Sequence, residues 1–267
     1  MRRLHLFELH DSPFCPSAIR NGLTDFLEAA TDAFDTYGAV RPQIEELLAS
    51  SGHDQVIDLC SGAGGPWVHW LKKGLIRANV TLTDKYPNLR AYRQIAKSGI
   101  SGLHYRTEPV DATAVPAELA GLRTIFTAFH HFPPQKARAI IADAVSKQQP
   151  IAIFELTYRC TRAVSAMLLS PIGVWILTAK MRNTGWRKLL LTYLVPAIPL
   201  CVLVDGVLSC FRTYSLAELR EMASGVTYTW SAGQLNGRGG PVTYMLGCPK
   251  VKPKTVEQQF NSLSINA

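Results

Sequence analysis

Three carboxylates and a run of glycines stand at spacings that could hold a nucleoside. The segment DLCSGAGGPW covers residues 58–67 and lies between an apolar run and a helical pattern. Glycines at such a junction let the backbone approach a ligand and leave helix N–H groups aimed at it. Asp84 comes about 20 residues after the glycines, at the end of the next β-rich run, where a carboxylate can accept from both ribose hydroxyls. Asp111 follows the third such run and is placed to receive an adenine amino group. Beyond the fourth run come His130 and His131, and Glu155 ends the fifth. These three are the candidates for general-base work, which is needed only where a nucleophile must shed a proton. Each reading has a plainer alternative. Asp58 can cap its own loop, Asp84 can open a turn before Pro87, Asp111 can cap a helix, and Glu155 can pair with Arg159 or Arg162. Adjacent rings such as His130 and His131 usually diverge, which would leave one of them structural.

Such residues meet only if the chain sets its strands in parallel. Apolar runs at 55–59, 79–83, 103–106, 122–128 and 151–156 alternate with helical patterns at 68–73, 89–97 and 136–145. This alternation implies βαβ units and a parallel sheet covered on both faces. Residues 1–50 read as a helical cap, with helices over 18–30 and 42–50, and from it Tyr37 and His10 are candidates to line the pocket. Residues 51–156 form the core, 157–214 an apolar helical insertion, and 215–249 a helix and hairpin that complete the core. Ser215 and Glu218 make a capping box for that helix. A polar tail over 250–267 is expected to be disordered.

DLCSGAGG, LTDKYPN, VDATAVP and TAFHHFP, in that order, resemble the motif set of class I S-adenosylmethionine (SAM)-dependent methyltransferases. The similarity covers roughly 52–156 and is greatest to the small-molecule group that includes quinone-biosynthesis enzymes. It implies a Rossmann-like α/β fold: a mostly parallel seven-stranded sheet with a C-terminal antiparallel hairpin. It also implies that positions 58, 62 and 64 hold the methionine part of SAM, Asp84 the ribose and Asp111 the adenine. With their loop neighbours, the candidate cofactor-binding residues are Asp58, Cys60, Ser61, Gly62, Gly64, Asp84, Lys85, Asp111, Ala112, Thr127 and Phe129. Trp67 departs from the third glycine of the dinucleotide fingerprint, which counts against a nucleotide-dependent oxidoreductase without removing it. A non-catalytic membrane-associated protein on the same scaffold is the third reading.

The insertion is the unusual part. No Asp or Glu lies between Glu155 and Asp205, while Arg159, Arg162, Lys180, Arg182, Arg187 and Lys188 do. Its apolar runs, 11 and 16 residues, are shorter than the roughly 20 that span a bilayer, and Pro171, Pro196 and Pro199 interrupt them. They read as buried helices over a lipophilic pocket, as a surface docking on anionic membrane, or as both. Asp205 and Arg212 are expected to pair, either as a structural ion pair or as groups that orient a substrate. The formal charge of +8 admits phosphate, anionic lipid or an acidic substrate. The basic residues are interleaved with aliphatic ones, which is not the stripe of a nucleic-acid binder. Six cysteines without C-x-x-C spacing suggest reduced thiols and no metal. With no apolar leader legible, the expected location is cytoplasmic or peripheral on the inner face of a membrane.

Overall fold

The computed structural model describes residues 1–12, 14–181 and 184–250, so Arg182 and almost all of the expected tail lie outside it. Among the described residues, seven strands form one sheet: β1 (Gln55–Leu59), β2 (Asn79–Leu82), β3 (Leu103–Tyr105), β4 (Leu122–Phe126), β5 (Ile151–Glu155), β6 (Tyr228–Gly237) and β7 (Gly240–Pro249). Their order is β3-β2-β1-β4-β5-β7-β6. The first five run parallel, and the hairpin inserts β7 antiparallel to β5. Asp58 is in register with Leu82 and Thr124, so the carboxyl ends of the three central strands finish level.

Alternation along each strand splits the core between two faces. Ile57, Leu59, Ile125 and Ile153 face α5 (Pro134–Ser146) and α10 (Leu216–Ala223). Val56, Leu122, Ala152 and Phe154 face α2 (Arg41–Ser51), α3 (Gly65–Lys72) and α4 (Leu89–Ser98). Burial on both faces explains why these strands read as continuous apolar runs. The helix ends follow local chemistry. Asn88 caps α4 through its side chain, and the Ser215–Glu218 capping box is closed in both directions.

A third cluster joins α1 (Ser17–Phe34) to α7 (Ser170–Leu177) and α9 (Ala197–Arg212) through Leu23, Phe26, Val174, Leu177, Ile198 and Val202. The short helices α6 (Thr161–Met167) and α8 (Trp186–Leu189) complete the insertion. It is mostly helical, as its composition suggests, but its apolar runs are not buried throughout. Leu168, Leu169, Ile172, Ile176, Trp186 and Leu194 face outward, because α1 and α9 can cover only one side of α7. In the N-terminal segment, helices stand where 18–30 and 42–50 were expected, as α1 and α2. Residues 1–12 carry one short 3-10 turn, Leu9–Asp11, and otherwise lie extended against α9 as a strap.

Gly64 is fixed by packing. Its φ is +108°, and a Cβ there would come within 2.5 Å of Val68 Cγ2. Gly65, at φ +50°, has open space instead. Gly64→Ala is therefore expected to cost about 1–3 kcal/mol more than Gly65→Ala, since overpacking adds to shared backbone strain. Urea unfolding of both variants checks this.

Candidate functional site

The loop after β1 is tied to the end of β2. Ser61 N donates to Thr83 O at 3.0 Å, Thr83 N to Asp58 O at 2.8 Å, and Ser61 Oγ bonds both carbonyls. Gly62 N donates to Asp84 Oδ2 at 3.0 Å, and Tyr86 N to Oδ1 at 2.8 Å. A carboxylate has about four acceptor sites, so Asp84 keeps capacity for two hydroxyls. Burial raises its pKa, against those backbone donors. A Cβ at Gly62 or Gly65 would meet nothing within 4 Å, so the backbone is open to a ligand there. Lys85 and Asp111 bridge at 2.7 Å on the rim, and that ammonium, with the Thr113 hydroxyl and N–H, holds Asp111 at about 2. Cys60 and Thr127 hold positive φ angles of 57° and 44° at the ends of β1 and β4. Backbone strain of this kind collects where strands hand over to ligand-bearing loops.

Several predicted ligand residues turn inward instead. Asp58 is 1% exposed, and its Oδ1 accepts from Thr124 Oγ1 at 2.6 Å and Trp67 Nε1 at 3.1 Å. The tryptophan at the position of the missing third glycine thus serves the strand's own aspartate. Burial pushes that carboxyl up to about 7, with Asp84 adding to it and the hydrogen bonds opposing. Phe129 and Ala112 belong to the apolar core. The Tyr37 hydroxyl lies 2.5 Å from Thr127 Oγ1, and its ring packs edge-on against Phe126.

The acid–base candidates form a buried polar cluster closed by the strap. His130 Nδ1 lies 2.7 Å from Glu155 Oε2, and His130 N donates to Oε1 at 3.0 Å. Burial disfavours a charged His130 ring, but Glu155 and Glu8 outweigh it and bring its pKa up to about 9. The two histidines do not diverge: their rings lie 4.4 Å apart and both face Glu8. Burial works against the Glu8 carboxylate, yet His130, His131 and Arg212 take its pKa down to about 2.

The expected Asp205–Arg212 pair is not made. Residues 205, 209 and 212 share one face of α9, and that face is turned to the strap. Asp205 accepts from Leu9 N at 2.6 Å and His10 N at 3.0 Å, with His10 Nδ1 at 2.9 Å. Arg212 Nη1 meets Glu8 Oε1 at 3.1 Å and Asp11 Oδ2 at 3.3 Å. Glu155 is spent on His130, and Arg159 pairs with Glu218 instead. Glu8, Asp11 and Ser209 escaped the sequence reading. One signal was present: Glu8, His10 and Asp11 stand within four residues of one another.

The antiparallel β7 between β5 and β6, with the glycine loop at the carboxyl edge of the central strand, decides the architecture. The fold is that of the class I methyltransferases. No family model matches the sequence, and no characterised protein matches it at the sequence level. Among solved structures, it is similar to magnesium protoporphyrin IX methyltransferase from Synechocystis PCC 6803 with bound S-adenosylhomocysteine. The identity is 13% over 90% of this chain and 89% of that one, with a TM-score of 0.45. An O-methyltransferase from neocarzinostatin biosynthesis, in complex with SAM and a naphthoic acid, is 16% identical over 83% of this chain and 55% of that one, with a TM-score of 0.49. Likenesses this low carry no argument about ligand or reaction, and the fold rests on the strand order alone.

The buried Asp58 generates a pH test. Its folded pKa lies above the unfolded value of about 3.9, so the folded state binds more protons between the two, and stability falls as pH rises from about 4 to about 7. Asp58→Asn keeps an acceptor for Trp67 and Thr124 and removes the titration. Urea unfolding from pH 4.5 to 7.5 should show a shallower decline in Asp58→Asn than in the parent protein.

Proposed function

We propose that the chain is a SAM-dependent methyltransferase acting on a small lipophilic or amphipathic acceptor. One observation carries this reading: Gly62 N bonds the Asp84 carboxylate, so the open glycine backbone and the acid suited to ribose share one crevice at the strand ends. There Asp84 would take the ribose hydroxyls, and Gly62–Gly65 would flank the methionine part. Asp111, with Lys85 beside it, would meet the adenine. When bound, SAM supplies an electrophilic methyl group. The protein's contribution is then alignment and exclusion of water. Of the base candidates, His130 is oriented by Glu155 and is the better anchored, but Glu8 stands before its outer nitrogen. An acceptor using that nitrogen would have to displace the strap. Asp84→Asn should weaken SAM binding roughly 10- to 100-fold, because charge-assisted hydrogen bonds contribute about 1.5–3 kcal/mol each. Calorimetric titration of SAM and S-adenosylhomocysteine reads this. An unchanged dissociation constant in folded Asp84→Asn, or binding of NADH in place of SAM, would remove the assignment.

We also propose that the insertion docks on anionic membrane, which would bring a lipophilic acceptor to the enzyme. Support comes from its outward apolar residues, with Trp175 and Trp186 among them, and from exposed Arg162, Lys180 and Arg187 beside them. Arg159 and Lys188 are excluded from this role by their pairing with Glu218 and Asp25. Thr161–Lys180 is long and apolar enough to cross a membrane, with 22% of that window buried. Its Val174 and Leu177 are nevertheless packed against α1 and α9, which favours lying on the surface. At about 1 kcal/mol per basic residue near the surface, three give roughly 100-fold preference for anionic over neutral vesicles. Vesicle flotation should show that preference, and Leu169→Glu with Ile176→Glu should abolish binding. No binding to phosphatidylserine vesicles, or a need for detergent to extract the protein, would refute surface docking.

A further inference from the structure

We propose that Glu8, His130 and His131 form a binding site for a divalent transition-metal ion such as zinc. The three side chains offer donor atoms that all lie within 4.8 Å of one another. His130 Nε2 is 3.6 Å from Glu8 Oε1, and His131 Nε2 is 3.8 Å from Glu8 Oε2. These separations are too long for good hydrogen bonds. They suit an ion held by the carboxylate as a whole, with His130 facing one oxygen and His131 the other, because metal–ligand bonds near 2.0–2.1 Å place neighbouring donors roughly 3–4 Å apart. His130 is 1% exposed, and among the described residues its Nε2 has no hydrogen-bond partner, so a buried nitrogen is aimed at Glu8 and unspent.

The far sides of the rings supply the second argument. Metal-binding histidines characteristically give their other nitrogen to a carboxylate, which fixes the tautomer and ring orientation. Here both do so: His130 Nδ1 lies 2.7 Å from Glu155 Oε2, and His131 Nδ1 lies 3.1 Å from Asp11 Oδ2. With each carboxylate accepting from Nδ1–H, Nε2 is the ring nitrogen turned to Glu8, and an ion would take the place of any proton it carries. Arg212 does not displace the ion. Its Nη1 takes Glu8 Oε1 at 3.1 Å, as does Ser209 Oγ, and Oε2 is left facing the imidazoles of His131 and His10.

Two imidazoles and one carboxylate form a donor set suited to zinc, iron, cobalt or nickel rather than magnesium or calcium. A three-ligand set also keeps a coordination position for water or an acceptor oxygen. Because Glu8 comes from the strap and the histidines from the loop after β4, an ion would fasten one to the other. None of this depends on SAM.

The test uses tag-free full-length protein, stripped with a chelator and titrated with Zn²⁺ and Co²⁺ without SAM. One equivalent of metal is expected, with visible d–d absorption from cobalt. Glu8→Gln and His131→Ala should each weaken affinity 10-fold or more, with far-UV circular dichroism unchanged. Asp11→Asn should have a smaller effect. Should the variants fail to fold, the parent protein decides: zinc must raise its Tm, and EDTA must reverse the rise. Absence of saturable binding by folded metal-free protein would overturn the site. So would equal affinity in folded Glu8→Gln and His131→Ala, which would place the ion elsewhere. Loss of SAM binding with metal binding retained would count against the methyltransferase reading alone.

Discussion

Parallel strands stay at a fixed separation only as far as their ladder runs, and beyond the last rung something must replace it. Here the replacement is the hydrogen-bonded knot of Asp58, Ser61, Gly62, Thr83 and Asp84. It prolongs the register of the two strands into the loops, where backbone groups would otherwise need water. The crevice depends on this knot twice over. It sets the distance between the glycine backbone and the acid of the second strand, and it holds the loop that leads into α3. Trp67 completes it from below by satisfying the buried Asp58, a group that would otherwise be costly in an apolar layer.

The other edge of the site is governed by charge burial. Glu8, His130, Glu155 and Arg212 are all almost fully buried, and each is tolerated only because the others are present. Removing one member of such a group leaves an uncompensated charge, at a cost of about 3–5 kcal/mol. The strap, α9 and the loop after β4 are therefore energetically one unit, although they come from three parts of the chain. Arg3 extends it by donating to the His130 and Phe132 carbonyls and lying over the Tyr214 ring.

Local chemistry was legible in the sequence. The glycine loop, the alternation of strands and helices, the capping box and the terminal hairpin each depend on residues within a few positions of one another, and each is present in the structure. The partners of Asp205 and Arg212 were not legible, because they lie some 200 residues away: Ser209 and Glu8, joined in the same cluster, are 201 positions apart. Nor could spacing reveal that Phe129 and Ala112 turn into the core while Asp84 stays at the crevice, since residues one apart at a strand end face opposite ways. The insertion was half legible. Its helices follow from composition, but the side left uncovered depends on how much surface α1 and α9 can reach.

The strap has a further consequence for how the chain is assembled. It is anchored by side-chain pairs and by the long-range backbone bond from Leu4 N to Phe211 O, not by a ladder. Its partners on α9 follow it by some 200 residues, so during synthesis the sheet around β1, β2 and β4 can form while Glu8 is still hydrated. Docking the strap then belongs to the end of folding, and undocking it is the opening that disturbs the least of the remaining structure. In the native ensemble, amide protons of residues 3–12 would accordingly exchange on a faster clock than those of the central strands, with the whole segment opening as one piece.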